Sequence, residues 1–258
     1  MRVACVTGSS SGIGAATAVA LARCGYAIAI HGHKNLAGMS CTADRVIEVT
    51  GRNQVRCFSA DLRDAGACRD LVHSVLHWRG RIDAWVNNAG ADILTGGRWH
   101  APLEQRLEQL WQVDVLATIR LSRLVAEAMV RTGTPPIDDA PLPAIVNMGW
   151  DQAALGMEGE AGQLFGTAKS AVEGFTRALA QSIGHRVRVN LIAPGWIRTS
   201  WGSTEQGTQW DRRARRESLL GRWGTPEDVA DAVAWLVSDQ ARFINGQKIE
   251  VNGGRRFS

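Results

Sequence analysis

Eight consecutive residues, Thr7-Gly8-Ser9-Ser10-Ser11-Gly12-Ile13-Gly14, have the spacing that most clearly predicts chemistry. A diphosphate needs backbone amides aimed at it and no side chains in the way. Glycines at a turn meet both needs, and a following helix adds a favourable dipole. The three serines add hydroxyl donors. A glycine triplet alone is an ordinary tight turn. Here it follows an apolar run at 3–7 and precedes an alanine-rich helical pattern reaching about residue 24. That is the strand–turn–helix context of a dinucleotide site. Gly8, Ser10, Ser11, Gly12, Ile13 and Gly14 are the expected cradle.

The next apolar run ends in His31-Gly32-His33-Lys34-Asn35, without a carboxylate. An acidic residue there would take the ribose hydroxyls of NAD and repel a 2′-phosphate. Lys34 and His33 would attract that phosphate instead. The expected cofactor is NADP(H) rather than NAD(H).

These groups need a scaffold, and the whole chain supplies one. Apolar strand-like runs at 3–7, 26–31, 55–60, 84–86, 144–148, 187–192 and 247–251 alternate with helical patterns. The helical patterns reach about 24, then span 36–49, 65–77, 103–130, 162–183 and 226–237. Such alternation implies crossover units and an α/β fold: a single Rossmann-type doubly wound parallel sheet of about seven strands, helices on both faces. At 258 residues, 45% apolar and 21% charged, residues 1–258 read as one dinucleotide-binding domain. Residues 133–143, with Pro135, Pro136, Pro141 and Pro143, read as a surface loop.

Composition also narrows the partners. A net charge of +4 suits an anionic cofactor but is too small to argue for nucleic acid. No apolar run approaches the roughly 18–20 residues of a membrane helix. The first residues run straight into a strand, with no signal peptide ahead of them. The five cysteines, Cys5, Cys24, Cys41, Cys57 and Cys68, form no zinc-type pair, and no metal site is expected. They read as small buried apolar residues of a cytoplasmic protein.

The pattern Thr-Gly-x3-Gly-x-Gly resembles the short-chain dehydrogenase/reductase family, and further motifs extend the likeness over nearly the whole chain. Asp61-Leu62 follows the third strand, where the family holds adenine. Asn87-Asn88-Ala89-Gly90 follows the fourth, and Pro194-Gly195-Trp196-Ile197-Arg198-Thr199 the sixth, on the nicotinamide side. Gly221-Arg222-Trp223-Gly224-Thr225-Pro226-Glu227-Asp228-Val229 and the closing Val251-Asn252-Gly253-Gly254 also match. The branch it looks most similar to is that of 3-oxoacyl-carrier-protein reductases. The resemblance implies cofactor contacts from Asp61, Leu62, Asn88, Ala89, Gly90, Lys169, Pro194, Gly195, Ile197 and Thr199. It also implies a homotetramer or dimer built from the helices carrying Asp114 and Lys169.

The catalytic position departs from that family. Its Tyr-x-x-x-Lys pair places a proton-passing tyrosine and a ribose-binding lysine on one helix face. Here the segment is Phe165-Gly166-Thr167-Ala168-Lys169. Tyr26, the only tyrosine, lies at the start of the second strand. The expected Ile-Val-Asn-x-Ser-Ser continues instead as Ile145-Val146-Asn147-Met148-Gly149-Trp150-Asp151, and the expected helix asparagine is Asp114. Losing a positioned acid typically costs about 100- to 10,000-fold in rate. Three replacements present themselves. Asp151 lies just past the fifth strand. Asp114 shares the inward helix face of Leu107, Leu110 and Trp111. An ordered water held by Lys169 and Asp114 is the third. Each aspartate also has a structural reading, Asp151 as a turn cap and Asp114 as a buried partner of Lys169. Phe165 and Trp150 read as an apolar wall beside the nicotinamide.

In the family, residues 199–221 form a mobile lid over the substrate. Here that stretch holds Trp201, Trp210 and the run Arg212-Arg213-Ala214-Arg215-Arg216. The run is either a solvated face or a grip on an anionic small molecule such as an acyl thioester. The expected function is an NADP(H)-dependent oxidoreductase acting on a carbonyl or conjugated enone or enoyl substrate with a non-standard proton donor. The alternatives are a cofactor-binding homologue with little turnover, acting as a sensor or oligomer partner, and non-redox chemistry on the same fold.

Overall fold

The computed structural model describes residues 1–132, 142–199 and 207–256. Seven strands form one parallel sheet in the order β3-β2-β1-β4-β5-β6-β7. They are β1 (Val3–Val6), β2 (Ala27–Gly32), β3 (Val55–Ser59), β4 (Ala84–Asn87), β5 (Ala144–Met148), β6 (Arg188–Pro194) and β7 (Lys248–Val251). The helices are α1 (Gly12–Arg23), α2 (Leu36–Thr50), α3 (Ala65–Arg79), α4 (Leu103–Leu110), α5 (Ala117–Thr132), α6 (Gly159–Ile183), α7 (Gly207–Glu217) and α8 (Pro226–Val237). Among the described residues, no helix is long and apolar enough to cross a membrane.

Side-chain alternation along each strand splits the core in two. Ala4, Val6, Ile28 and Ile30 pack beneath α1, α2 and α8. Their neighbours Val3, Cys5, Ala27 and Ala29 pack on the other face, with residues of α3 and α5. A strand covered on both sides has to be apolar throughout, which is why β1 and β2 carry no polar alternation. Each fully buried Leu or Ile, such as Leu21, Ile28 or Ile145, contributes roughly 1.5–3 kcal/mol. From β1 the chain winds outward to β2 and β3, then returns to place β4 on β1's other side. The crevice at that reversal, beyond the strands' C-terminal ends, is where open α/β sheets bind ligands.

Three expectations are corrected. The helical pattern expected at 103–130 is interrupted by a π turn, Trp111–Leu116, joining α4 to α5. Such turns carry an extra backbone residue and recur at functional sites; Asp114 lies within this one. The stretch 199–221, to which the sequence reading gives no helical pattern, contains α7, a helix whose charged faces masked its period. The cysteines are not all buried: Cys5 and Cys68 are, but Cys24, Cys41 and Cys57 are exposed. Cys24 follows the end of α1, Cys41 lies on the outer side of α2, and Cys57 sits on β3, an edge strand with one neighbour. Most of the proline-rich segment (133–141), together with Trp201 and residues 200–206 of the expected lid, lies outside the described residues.

Candidate active site

The glycine turn is fastened to the fourth strand. Gly8 and Gly12 take φ of 64° and 54°, the left-handed region that glycine reaches without strain. A Cβ on Gly8 would lie 2.8 Å from the Ala89 Cα. The Thr7 hydroxyl accepts the amides of Asn88 and Ala89, both at 3.0 Å. The Asn88 side chain donates back to the carbonyls of Thr7 and Gly8 at 2.9 and 3.2 Å. Ser9 does not face a ligand: its buried hydroxyl donates to the Val6 carbonyl at 2.7 Å. Ser10 and Ser11 remain on the crevice side.

His31 is a member of this turn that the sequence did not reveal. Its Nδ1 accepts the Gly8 amide at 3.2 Å and its Nε2 meets the Ala60 carbonyl at 3.2 Å. Burial pushes its pKa down to about 4, so the ring is neutral and can accept at one nitrogen while donating at the other.

Beyond this turn lies a cavity of about 310 Å³. His33, Asp61, Leu62, Ala89 and Gly90, all named above as cofactor contacts, line it. Arg63 also lines it and was missed. Its guanidinium chelates the Asp61 carboxylate, with Nε at 2.9 Å and Nη2 at 2.5 Å, and holds its pKa down at about 2. His33 Nε2 stands 3.8 Å from the same carboxylate. Lys34 is exposed and is not among the lining residues.

Asn88 also lines a second cavity of about 720 Å³. Ile13, Lys169, Pro194, Gly195, Ile197 and Thr199 meet there, bringing the nicotinamide-side residues together. Gly12 lies against Thr199, where a Cβ would touch the threonine methyl at 3.5 Å. The Lys169 ammonium lies 2.8 Å from Asp114 Oδ1 and donates to the Met148 carbonyl at 3.2 Å. Asp114 Oδ2 accepts the Ala91 amide at 2.8 Å. Phe165 and Trp150 line the same cavity as an edge-to-face pair, centroids 6.3 Å apart. Asp151 does not line it. Its buried carboxylate accepts from Asn252 at 3.2 Å and lies 3.7 Å from Arg255, and burial raises its pKa. Tyr26 is buried and its hydroxyl reaches the Val237 carbonyl of α8 at 3.5 Å.

The motif asparagines that line neither cavity form a buried network. Asn87 donates to Ser122 and Asn147 at 2.9 and 2.8 Å, and Asn147 to Thr176 at 2.9 Å. It ties β4 and β5 to α5 and α6, fixing the strand ends from which Asn88 and Trp150 emerge.

Among the described residues, five tryptophans line the larger cavity: Trp99, Trp150, Trp196, Trp210 and Trp223. Trp99, Trp223, Leu94 and Met157 were missed. Ten tryptophans against one tyrosine was the available signal. Trp196 packs on Trp210 and Trp223, at 5.3 and 5.9 Å between centroids. The arginine run lies on α7 and is partly consumed there. Arg213 pairs with Glu158 and Glu217, and Arg215 with Asp211.

Two cavities that share Asn88, on either side of the glycine turn, fit an extended dinucleotide. The sequence profile described as "Enoyl-(Acyl carrier protein) reductase" matches residues 8–256. The chain is 33% identical to the 3-oxoacyl-[acyl-carrier-protein] reductase FabG of Staphylococcus aureus, over 98% of this chain and 97% of that protein. Among solved structures it is similar to a mutant short-chain dehydrogenase/reductase of Serratia marcescens, with TM-score 0.83, 29% identity, and 98% and 97% of the two chains covered. It is also similar to acetoin dehydrogenase YohF of Salmonella typhimurium, with TM-score 0.81, 27% identity, and 98% and 96% covered. Fold, crevice and profile agree: the chain belongs to the short-chain dehydrogenase/reductase family of oxidoreductases.

Proposed function

We infer that the chain is an NADP(H)-dependent oxidoreductase acting on a carbonyl or conjugated enone or enoyl substrate, with a proton source other than the usual tyrosine. One observation carries the reading: Lys169, held from behind by buried Asp114, lines a cavity whose tyrosine and serine positions are Phe165 and Trp150. The bound cofactor would supply or accept the hydride. Lys169 holds the ribose, and Asp114 fixes the lysine. Gly8, Ser10, Ser11 and Gly12 receive the diphosphate, with Ile13, Pro194, Gly195, Ile197 and Thr199 on the nicotinamide side. Of the candidate acids, Asp151 is turned toward Asn252 and Arg255. A water held by Lys169 and Asp114 is the donor this geometry favours. Preference for a 2′-phosphate rests on His33 and Arg63, which line the smaller cavity, with exposed Lys34 beside them in sequence and no carboxylate closing β2.

The profile's enoyl description and the 3-oxoacyl relative support an acyl-thioester substrate. We read residues 1–258 as one cytoplasmic unit, with 199–221 as its lid, assembling as a dimer or tetramer. Calorimetry with NADPH and NADH tests the cofactor. Tight NADPH binding followed by steady oxidation with carbonyl or enone panels is expected. Binding neither cofactor overturns the reading; binding without turnover assigns the sensor alternative.

A further inference from the structure

The larger cavity has an acid problem and an aromatic wall, and the two observations fit together. Among its described lining residues there is no carboxyl, imidazole, phenol or thiol. Five tryptophans and Phe165 line it instead. Ring faces attract cations, and indole does so most strongly. Two of these indoles are also polarised from behind. Trp196 Nε1 donates to Glu217 at 2.9 Å, and Trp223 Nε1 to Asp211 at 2.9 Å. A carboxylate at the N–H pushes electron density into the ring and deepens its negative face, although each of these carboxylates also holds an α7 arginine. The wall already stacks one cation of its own. The Arg213 guanidinium lies 5.9 Å from the Trp196 centroid and 5.5 Å from that of Trp210.

We propose that this cavity takes its substrate as an organic cation, an iminium carried on a flat ring system, whose charge replaces the missing acid. The proposal rests on the nicotinamide-dependent reading above and adds an iminium to the acceptors it names, as the preferred one. The carbon of a C=N⁺ group accepts hydride from the reduced nicotinamide. The C=N π pair becomes the nitrogen lone pair, the substrate gains two electrons as a neutral amine, and the nicotinamide becomes the cation. No proton is consumed. A ketone or enone taking the same hydride leaves an oxyanion or enolate, which Phe165 cannot protonate and which has to draw its proton from the water at Lys169 and Asp114. Lys169 does not repel the incoming charge, because Asp114 neutralises it at 2.8 Å.

The test is a binding comparison on NADPH-saturated protein. Calorimetry compares phenyltrimethylammonium with tert-butylbenzene, a pair of the same shape that differ in charge and cannot accept hydride. The cation should bind at least about tenfold tighter. Trp223→Leu should remove that preference. Asp211→Asn, which keeps the shape of the side chain, should reduce it severalfold. NADPH oxidation should proceed faster with a dihydroisoquinolinium salt than with tetralone. Equal affinity for the isosteric pair, or faster turnover of tetralone, overturns the proposal. NADPH titrated in the same instrument separates the two readings: failure to bind it sinks the dinucleotide reading, whereas NADPH binding without cation preference sinks only this one.

Discussion

Lys169 and Asp114 form a 2.8 Å ion pair in which the carboxylate is the deeper partner, 2% exposed against 13% for the lysine. Removing the two partners therefore has unequal consequences. Lys169→Ala strands a buried carboxylate, which costs about 3–5 kcal/mol. Asp114→Asn keeps an acceptor for the Ala91 amide and leaves a lysine nearer the surface, so it should cost less than half as much. Urea unfolding of both variants checks the order. NADPH affinity should also fall in Lys169→Ala by about tenfold or more, as expected when a hydrogen bond from a charged group is lost.

Restoring the hydroxyl at the family's tyrosine position should do little. Trp150 occupies the place of the usual serine and packs edge-to-face on Phe165. A tyrosine introduced there finds its proton-sharing partner replaced by an indole. Phe165→Tyr is expected to raise ketone reduction by less than about tenfold, short of the gain a positioned acid gives. A gain of several hundredfold would show that the remaining site is intact.

His31 makes folding depend on pH. In the unfolded chain a histidine takes up its proton near 6.5; folded His31 resists until about 4. Between those values the unfolded chain binds more protons, so stability falls as pH is lowered. The contribution is complete above about 6.5 and shrinks by roughly 3 kcal/mol by about pH 4. Urea midpoints across this window should fall more steeply for the native chain than for His31→Asn. Parallel curves would contradict the assignment.

Thiol labelling should divide the cysteines three to two. Cys24, Cys41 and Cys57 are exposed and should react in the native protein, Cys57 slowest because partial burial raises its pKa. Cys5 is fully buried with its thiol pKa pushed far up, and Cys68 is pushed up to about 11. Both should react only on unfolding, because the thiolate is the reactive form. Five fast thiols would show the core to be open.

The alternation of strands and helices and the glycine turn were legible because both rest on local pattern. Fully apolar runs mark strands covered on two faces, and the glycine turn needs backbone freedom that few residues offer. What stayed hidden was set by contacts across the fold. Arg63 is two residues from Asp61, yet its chelation of that carboxylate beside the smaller cavity depends on side-chain rotamers. His31 reads as one more residue of an apolar strand until Gly8 and Ala60 are placed around it. Trp99 and Trp223 lie far apart in sequence and meet only at the cavity. Asp114 could be placed on the inward helix face, but the π turn that carries it leaves no mark in the apolar spacing.

The indole-lined cavity also gives the molecule a built-in optical reporter. Indole emission overlaps the absorption of a reduced nicotinamide, so occupancy of the crevice should quench the protein's own fluorescence by energy transfer. Trp196 and Trp223 are hydrogen-bonded to Glu217 and Asp211 of α7, which makes their emission wavelength sensitive to the position of that helix. Docking of α7 and loading of the crevice can thus be followed separately on unlabelled material.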